Sequence, residues 1–210
     1  FADRRVRYLR LAANRGAGAA RNAGIQQSGG IFLAFQDSDD EWLPTKLECH
    51  MQAFAGCAAE VGVVYSDMQR IRRDGNTEYH RSPDVAPGVL IDPRTRFYQV
   101  CRIGIQSTVI RRACLDAVGG FNEQFPALED LELFIRLSQR YRFLHLELPL
   151  VRYHETDGLS QNLPAKHVAR TLMLQLYQRD LERDDAGFIG RERAWLDAAR
   201  HPPQGAASDT

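Results

Sequence analysis

Three carboxylates fall within four positions at Asp37-Ser38-Asp39-Asp40, and Glu41 and Trp42 follow directly. The cluster closes an apolar run from Ile31 to Gln36. Like charges this close repel, and buried carboxylates are costly unless paired or metal-bound. Two aspartates with Asp-x-Asp spacing can hold one hard divalent cation and leave coordination sites for phosphate oxygens. A single such pair is served equally well by a turn running into a helix N-cap, since Asp suits both. Three aspartates directly after an apolar strand turn the preference towards an ion.

A second acidic group, Glu129-Asp130, opens an amphipathic stretch that also holds Glu132. Complementing a helix macrodipole accounts for one acidic residue in a first turn and less economically for three. The functional alternative is a carboxylate held beside a substrate hydroxyl as general base. His154, in Val-Arg-Tyr-His, reads alone as a surface or packing residue and, beside an acidic metal site, as an extra ligand. The stretch from Asn14 to Gly24 could cradle a phosphate on backbone N–H groups, with Arg21 and Asn22 in reach of an anion. It lacks both the GxGxxG spacing and the lysine of a P-loop. A helix packed closely through small residues is its plainer reading.

These residues must be positioned by an alternation of strands and helices, which predicts an α/β layered domain. Residues 6–11 alternate apolar and basic, as in a strand with one covered face. An Ala-rich helix is expected from about 17 to 27, stopped by Gly29-Gly30. Residues 31–36 read as a short strand covered on both faces, as in a parallel sheet. A helix with Pro44 in its first turn follows, then a β-rich run at 61–68 and a hairpin turn at Asp74-Gly75. Residues 82–93 read as loop and 94–103 as helical. A strand in Ile-Gln-Ser-Thr-Val-Ile-Arg-Arg and a short helix ended by Gly119-Gly120 come next. Leu131, Phe134, Ile135 and Leu137 give the 129–141 helix its apolar face. Strand character returns from Arg142 to His154, broken by Pro149, and a longer helix covers 164–185. The domain is expected over 1–160, a helical extension over 161–200 and a disordered tail over 201–210.

The chain has 210 residues, 44% hydrophobic and 26% charged, with 27 basic and 27 acidic side chains. A net charge of zero gives no support for bulk nucleic-acid binding. Its four cysteines match no metal knuckle or CxxC pair and are expected as buried free thiols of a reducing compartment. No stretch reaches the length of a membrane span, and no signal peptide opens the chain.

Several separate stretches then fit one pattern. Gly-Ala-Gly-Ala-Ala-Arg-Asn-Ala-Gly, the apolar run, Asp-Ser-Asp-Asp-Glu-Trp and Pro-Thr-Lys-Leu resemble the middle of a family 2 glycosyltransferase of the GT-A fold. Gly-Gly-Phe-Asn-Glu, followed by Glu-Asp opening a helix, is similar to that family's second block, and Val-Arg-Tyr-His falls where many GT-A enzymes carry a late His. The resemblance spans roughly residues 6–154. It implies a GT-A-like, Rossmann-like domain with a mixed sheet. It also implies inverting, metal-dependent transfer of a hexose-type sugar from a nucleoside-diphosphate sugar to a saccharide or lipid-linked acceptor, in bacterial surface polysaccharide or glycolipid synthesis.

Carried over, Asp39 and Asp40 contact the ribose and the metal, Mn2+ or Mg2+, with Asp37 supporting them. Asp130 is the base and Glu129 helps place the acceptor. His154 completes the metal shell. Arg21 and Asn22 contact the donor or hold the acidic loop, and Gly119 and Gly120 line the acceptor side. The enzyme is expected in the cytoplasm, with peripheral contact to the inner membrane. The family's first strands, which bind base and ribose, have no counterpart here, so the chain is expected to be N-terminally truncated. A non-catalytic sugar-nucleotide-binding or assembly module is the competing expectation. A phosphoryl-transfer nucleophile at Asp37 fits less well, because position 41 is Glu.

Overall fold

A computed structural model describes residues 3–81, 90–91, 103–156, 162–184 and 186–200. Within them, seven strands form one mixed sheet. They are β1 (Phe32–Ala34), β2 (Glu41–Trp42), β3 (Val61–Ile71), β4 (Thr77–His80), β5 (Leu90–Ile91), β6 (Thr108–Arg111) and β7 (Arg142–His154). The order is β1-β6-β3-β7-β2, with β4 paired to β3 and β5 to β7. Six helices accompany it: α1 (Gly16–Gln27), α2 (Lys46–Ala55), α3 (Arg112–Val118), α4 (Glu129–Ser138), α5 (Leu163–Asp184) and α6 (Ala186–Arg200). This is the α/β layered, mixed-sheet architecture expected from the sequence.

Alternation along β3 divides the core between the two faces of the sheet. Val63 and Tyr65 join Ile110, Phe143 and the α4 residues Leu133, Phe134 and Leu137 on one side. Val64 joins Val109 and the α2 residue Phe54 on the other, and so does Val61, because the register shifts between Val61 and Val63. Ala169, Met173 and Leu181 of α5 and Ile189 of α6 enter the first of these clusters. The C-terminal helices therefore share the core of the sheet.

Several local expectations need correction. Residues 6–11 form no strand, and Val6, Tyr8, Leu9 and Leu11 are exposed, Tyr8 to 85%. A strand needs a ladder partner for its backbone groups, and among the described residues none lies alongside this segment. Arg7 instead donates to the carbonyl and side chain of Gln27 at 2.7 and 3.0 Å. The strand after it is shorter than expected, and it runs antiparallel to β6, Leu33 opposite Ile110. An apolar run reports burial and carries no information on the direction of its neighbour. Pro149 does not end its strand, because a shift of register between Ser66 and Asp67 accommodates it opposite Asp67. Of the cysteines, Cys114 is buried while Cys49 and Cys57 are half-exposed. Leu90–Ile91, inside the loop expected over 82–93, form β5. Cys101, residues 82–89 and 92–93 of that loop, residues 94–102 of the helix expected over 94–103 and the tail after 200 lie outside the described residues.

Candidate active site

The acidic loop leaves β1 and meets the start of α4 at a cavity of about 530 Å³. Asp37, Ser38 and Asp39 contribute to its lining, as do Ala127, Leu128, Glu129 and Asp130. Ala17 and Arg21 of α1, Tyr153 and Thr156 at the end of β7, and Lys166 of α5 complete it. The two acidic groups singled out in the sequence are thus brought together.

Arg21 is the link between them. Its Nη2 donates to Asp37 Oδ1 at 2.6 Å and its Nη1 to Glu129 Oε1. The guanidinium also lies 5.5 Å from the centre of the Phe121 ring. A planar fork of donors suits this bridging better than a point charge would. Next to Arg21, Asn22 fastens α1 to the segment before α4. Its Oδ1 accepts from Phe121 N at 2.8 Å, and its Nδ2 donates to Phe121 O at 2.9 Å. Gly120 permits that approach, since a Cβ there would meet Asn22 Oδ1 at 2.4 Å. Gly119 takes φ +85° at the end of α3, where a side chain would be strained. Asn22, Gly119 and Gly120 do not line the cavity, so their place is in the scaffold behind it.

At the start of α4, Leu128 adopts φ 58° and is the only described non-glycine residue with positive φ. Such a backbone costs about 1–3 kcal/mol and persists where its surroundings hold it. Here it turns the chain so that Glu129 and Asp130 meet the cavity. Glu129 is committed to Arg21, whereas Asp130 accepts only the N–H of Leu131, at 2.8 Å, among the described residues. Burial, and then the neighbouring Glu129, push the Asp130 carboxyl up to about 6, against the pull of Arg21.

Asp39 accepts from Thr156 Oγ1 at 2.8 Å, which joins the acidic loop to the end of β7. Asp40 and His154 meet each other, but not at the cavity. Asp40 is buried and its Oδ1 accepts from His154 N at 3.0 Å. The His154 imidazole stands 3.3 Å from Glu41 Oε1. The cause is strand alternation: Tyr153 faces the cavity, so its neighbour His154 points the other way. Burial pushes the Asp40 carboxyl up to about 6, and Asp37 and Asp39 add to this against the His154 N–H.

Among the described residues, no three His, Cys, Asp or Glu side chains converge to cage a cation by themselves. Asp37 and Asp39 do share the cavity wall. One or two carboxylates fit a cation that completes its shell from phosphate oxygens and water. Asp40 and His154 lie outside that donor set.

Tyr153, Thr156 and Lys166 were not legible as site residues, because no pattern marks them until β7 and α5 are folded against the acidic loop. Leu128 carried no signal either, since leucine is not a residue that left-handed backbone selects.

Residues 1–114 match the family model described as Glycosyl transferase family 2. The chain belongs to that family. Among its relatives, the succinoglycan biosynthesis protein ExoO of Rhizobium meliloti is 30% identical over 119 residues, 54% of this chain and 34% of that protein. The Escherichia coli UDP-Glc:alpha-D-GlcNAc-diphosphoundecaprenol beta-1,3-glucosyltransferase WfgD is 29% identical over 141 residues, 65% of this chain and 50% of that one. The chain thus spans a third to a half of the length of these curated relatives. A crystal structure of S. aureus TarS in complex with UDP-GlcNAc superposes with TM-score 0.58 at 18% identity, over 78% of this chain and 49% of that one. At that identity the likeness is one of fold. No described helix is long and apolar enough to cross a membrane.

Proposed function

We propose that this family 2 chain carries the acceptor-activating and leaving-group half of an inverting glycosyltransferase, acting on a nucleoside-diphosphate sugar in polysaccharide or glycolipid synthesis. The observation that carries the reading is the meeting of Asp37 and Asp39 with Glu129 and Asp130 in the lining of one cavity, bridged by Arg21. The relatives' names, succinoglycan biosynthesis and a UDP-glucose-dependent glucosyltransferase, supply the substrate class.

Asp130 is the base. It lacks an ion-pair partner among the described residues, and its raised proton affinity suits removal of a hydroxyl proton near neutral pH. Glu129, neutralised by Arg21, orients the start of α4 and the acceptor beside it. Inversion needs no covalent intermediate: the acceptor oxygen attacks the anomeric carbon as the bond to the diphosphate breaks, and its proton passes to Asp130. Asp39, with Asp37 beside it, would hold Mn2+ or Mg2+, which supplies neutralisation of the charge building on the diphosphate. Asp40 and His154 act behind that wall, fixing the acidic loop to β7.

The test is a panel of nucleotide sugars, with and without Mn2+, read by thermal shift and by release of nucleoside diphosphate. Metal-dependent release, lost in Asp130→Asn and kept in the surface variant Glu182→Gln, is expected. Binding without turnover in the wild type would favour a sugar-nucleotide-binding module instead.

A further inference from the structure

The charges lining the cavity do not balance. Four carboxylates, from Asp37, Asp39, Glu129 and Asp130, stand against two cations, Arg21 and Lys166. Arg21 is already committed to Asp37 and Glu129. Lys166 is not: among the described residues its ammonium makes no ion pair or hydrogen bond, although four carboxylates share the space. An ammonium on a flexible stem, half-buried in a cavity wall and uncommitted, is suited to an anion that arrives from solution.

Its position on the helix reinforces this. Asn162 sets the first turn of α5, its Oδ1 accepting from Ala165 N and its carbonyl from Lys166 N, each at 3.0 Å. Pro164 has no N–H, so it is the dipole of the 22-residue helix that favours negative charge at this end. α4 answers its own dipole with Glu129, Asp130 and Glu132, whereas α5 has no acidic residue in its first turn. The negative charge that α5 favours has to come from outside the helix.

We propose that Lys166, in the first turn of α5, contacts the phosphate groups of the donor. The C-terminal helix then supplies the site with a cation that lies beyond the residues matched to the family, 1–114. This rests on the transferase reading and adds one consequence: part of the affinity for phosphate is independent of divalent metal. A ligand carrying two phosphates can meet Lys166 at one end while facing Asp37 and Asp39 through a cation at the other.

The test is calorimetric titration of the full chain with inorganic pyrophosphate, once in EDTA and once with Mn2+. Binding in EDTA is expected, weakened about tenfold or more in Lys166→Met, since a hydrogen bond to a charged group is lost. Lys166→Arg keeps most of the affinity, and Arg179→Met on the exposed side of α5 is unchanged. Thermal melts check that each variant folds, and Lys166→Gln replaces Lys166→Met if the latter does not. A structural role for Lys166 would move the melts, whereas the proposed role moves the binding and its salt dependence. Equal affinity in wild type and Lys166→Met, with binding kept in Mn2+, overturns the role of Lys166 and leaves the transferase reading standing. Absence of pyrophosphate binding in both conditions overturns the two together.

Discussion

Arg21 and Asp37 are joined by a charge-assisted hydrogen bond of 2.6 Å, and the other arm of the same guanidinium holds Glu129. The acidic loop and the first turn of α4, remote in sequence, are thereby fixed to one helix. Arg21 is 16% exposed and Glu129 10%, so the pairing is largely shielded from solvent.

Replacing Arg21 should therefore cost both stability and activity. Arg21→Gln leaves two acidic groups facing each other without their shared cation, a loss of about 2–4 kcal/mol. Arg21→Lys keeps the charge and loses the fork, so it should recover part of the stability but little of the activity. Denaturant unfolding and donor turnover, measured on both variants, check this. A wild-type midpoint in Arg21→Gln would show that the bridge does not hold the two walls together.

Asp130 should set the acid limb of the pH–rate profile. Its carboxyl is raised to about 6, chiefly by burial, and a base works only when deprotonated. Turnover should therefore fall about tenfold per pH unit below roughly pH 6 and level off above it. Asp130→Asn should lower kcat by a factor on the order of 10²–10⁴ while leaving donor affinity nearly intact. A flat profile from pH 5 to 8 in the wild type would assign the base elsewhere.

How far these relationships were legible depended on their range along the chain. The two acidic groups, Arg21 and the helices bearing them could be read because charge clusters and apolar periodicity are local properties. That Arg21 spans both clusters could not be read, since it depends on how α1 packs against the loop before α4. The resemblance puts His154, the last residue of β7, in the metal shell. Its orientation was decided by the parity of the strand, which Tyr153 uses to reach the cavity. Residues 6–11 misled for a related reason, because alternation promises a strand only where a neighbour exists to pair with it.

Asp40 should be a cost to stability above neutral pH. Its folded carboxyl titrates near 6 against an ordinary 3.8, so between those values the folded state binds more protons than the unfolded one. Stability from this group is gained as pH falls through 6 and is lost above it. Asp40→Asn keeps an oxygen acceptor for His154 N and removes the charge. Its melting temperature should exceed that of the wild type at pH 8, by the equivalent of about 1–3 kcal/mol, and match it near pH 4. Equal melting temperatures at pH 8, without added metal, would contradict the burial cost.

Gly120 and Asn22 should be energetically coupled. A methyl group at 120 would press on Asn22 Oδ1, which the N–H of Phe121 already occupies. Gly120→Ala is expected to destabilise by about 1–3 kcal/mol. Asn22→Ala alone should also destabilise, because the Phe121 N–H and carbonyl lose their partners. The double variant should be more stable than the sum predicts, since removing the amide removes the clash. Strict additivity in the cycle would mean the close approach is relieved elsewhere.

Lys46 offers a stability test of the wall behind the acidic loop. It is fully buried, its Nζ lying 4.5 Å from the centre of the Trp42 ring and 3.4 Å from the Thr108 carbonyl that accepts from it. Trp42 Nε1 donates to Gln106 O at 3.1 Å, and the His50 ring is 3.1 Å from Ser107 O. Three successive carbonyls, from Gln106 to the first residue of β6, are thus engaged by the segment that follows the aspartates. Burial pushes the Lys46 ammonium down to about 7, from an ordinary 10.5. Between those values the unfolded chain holds a proton that the folded chain has released, so stability should rise as pH increases from 7 towards 10. Lys46→Met, similar in length and without charge, should flatten that rise while keeping the packing on Trp42. Melting curves of the two proteins from pH 7 to 10 decide it, and parallel curves would mean that Lys46 keeps its ordinary proton affinity in the fold.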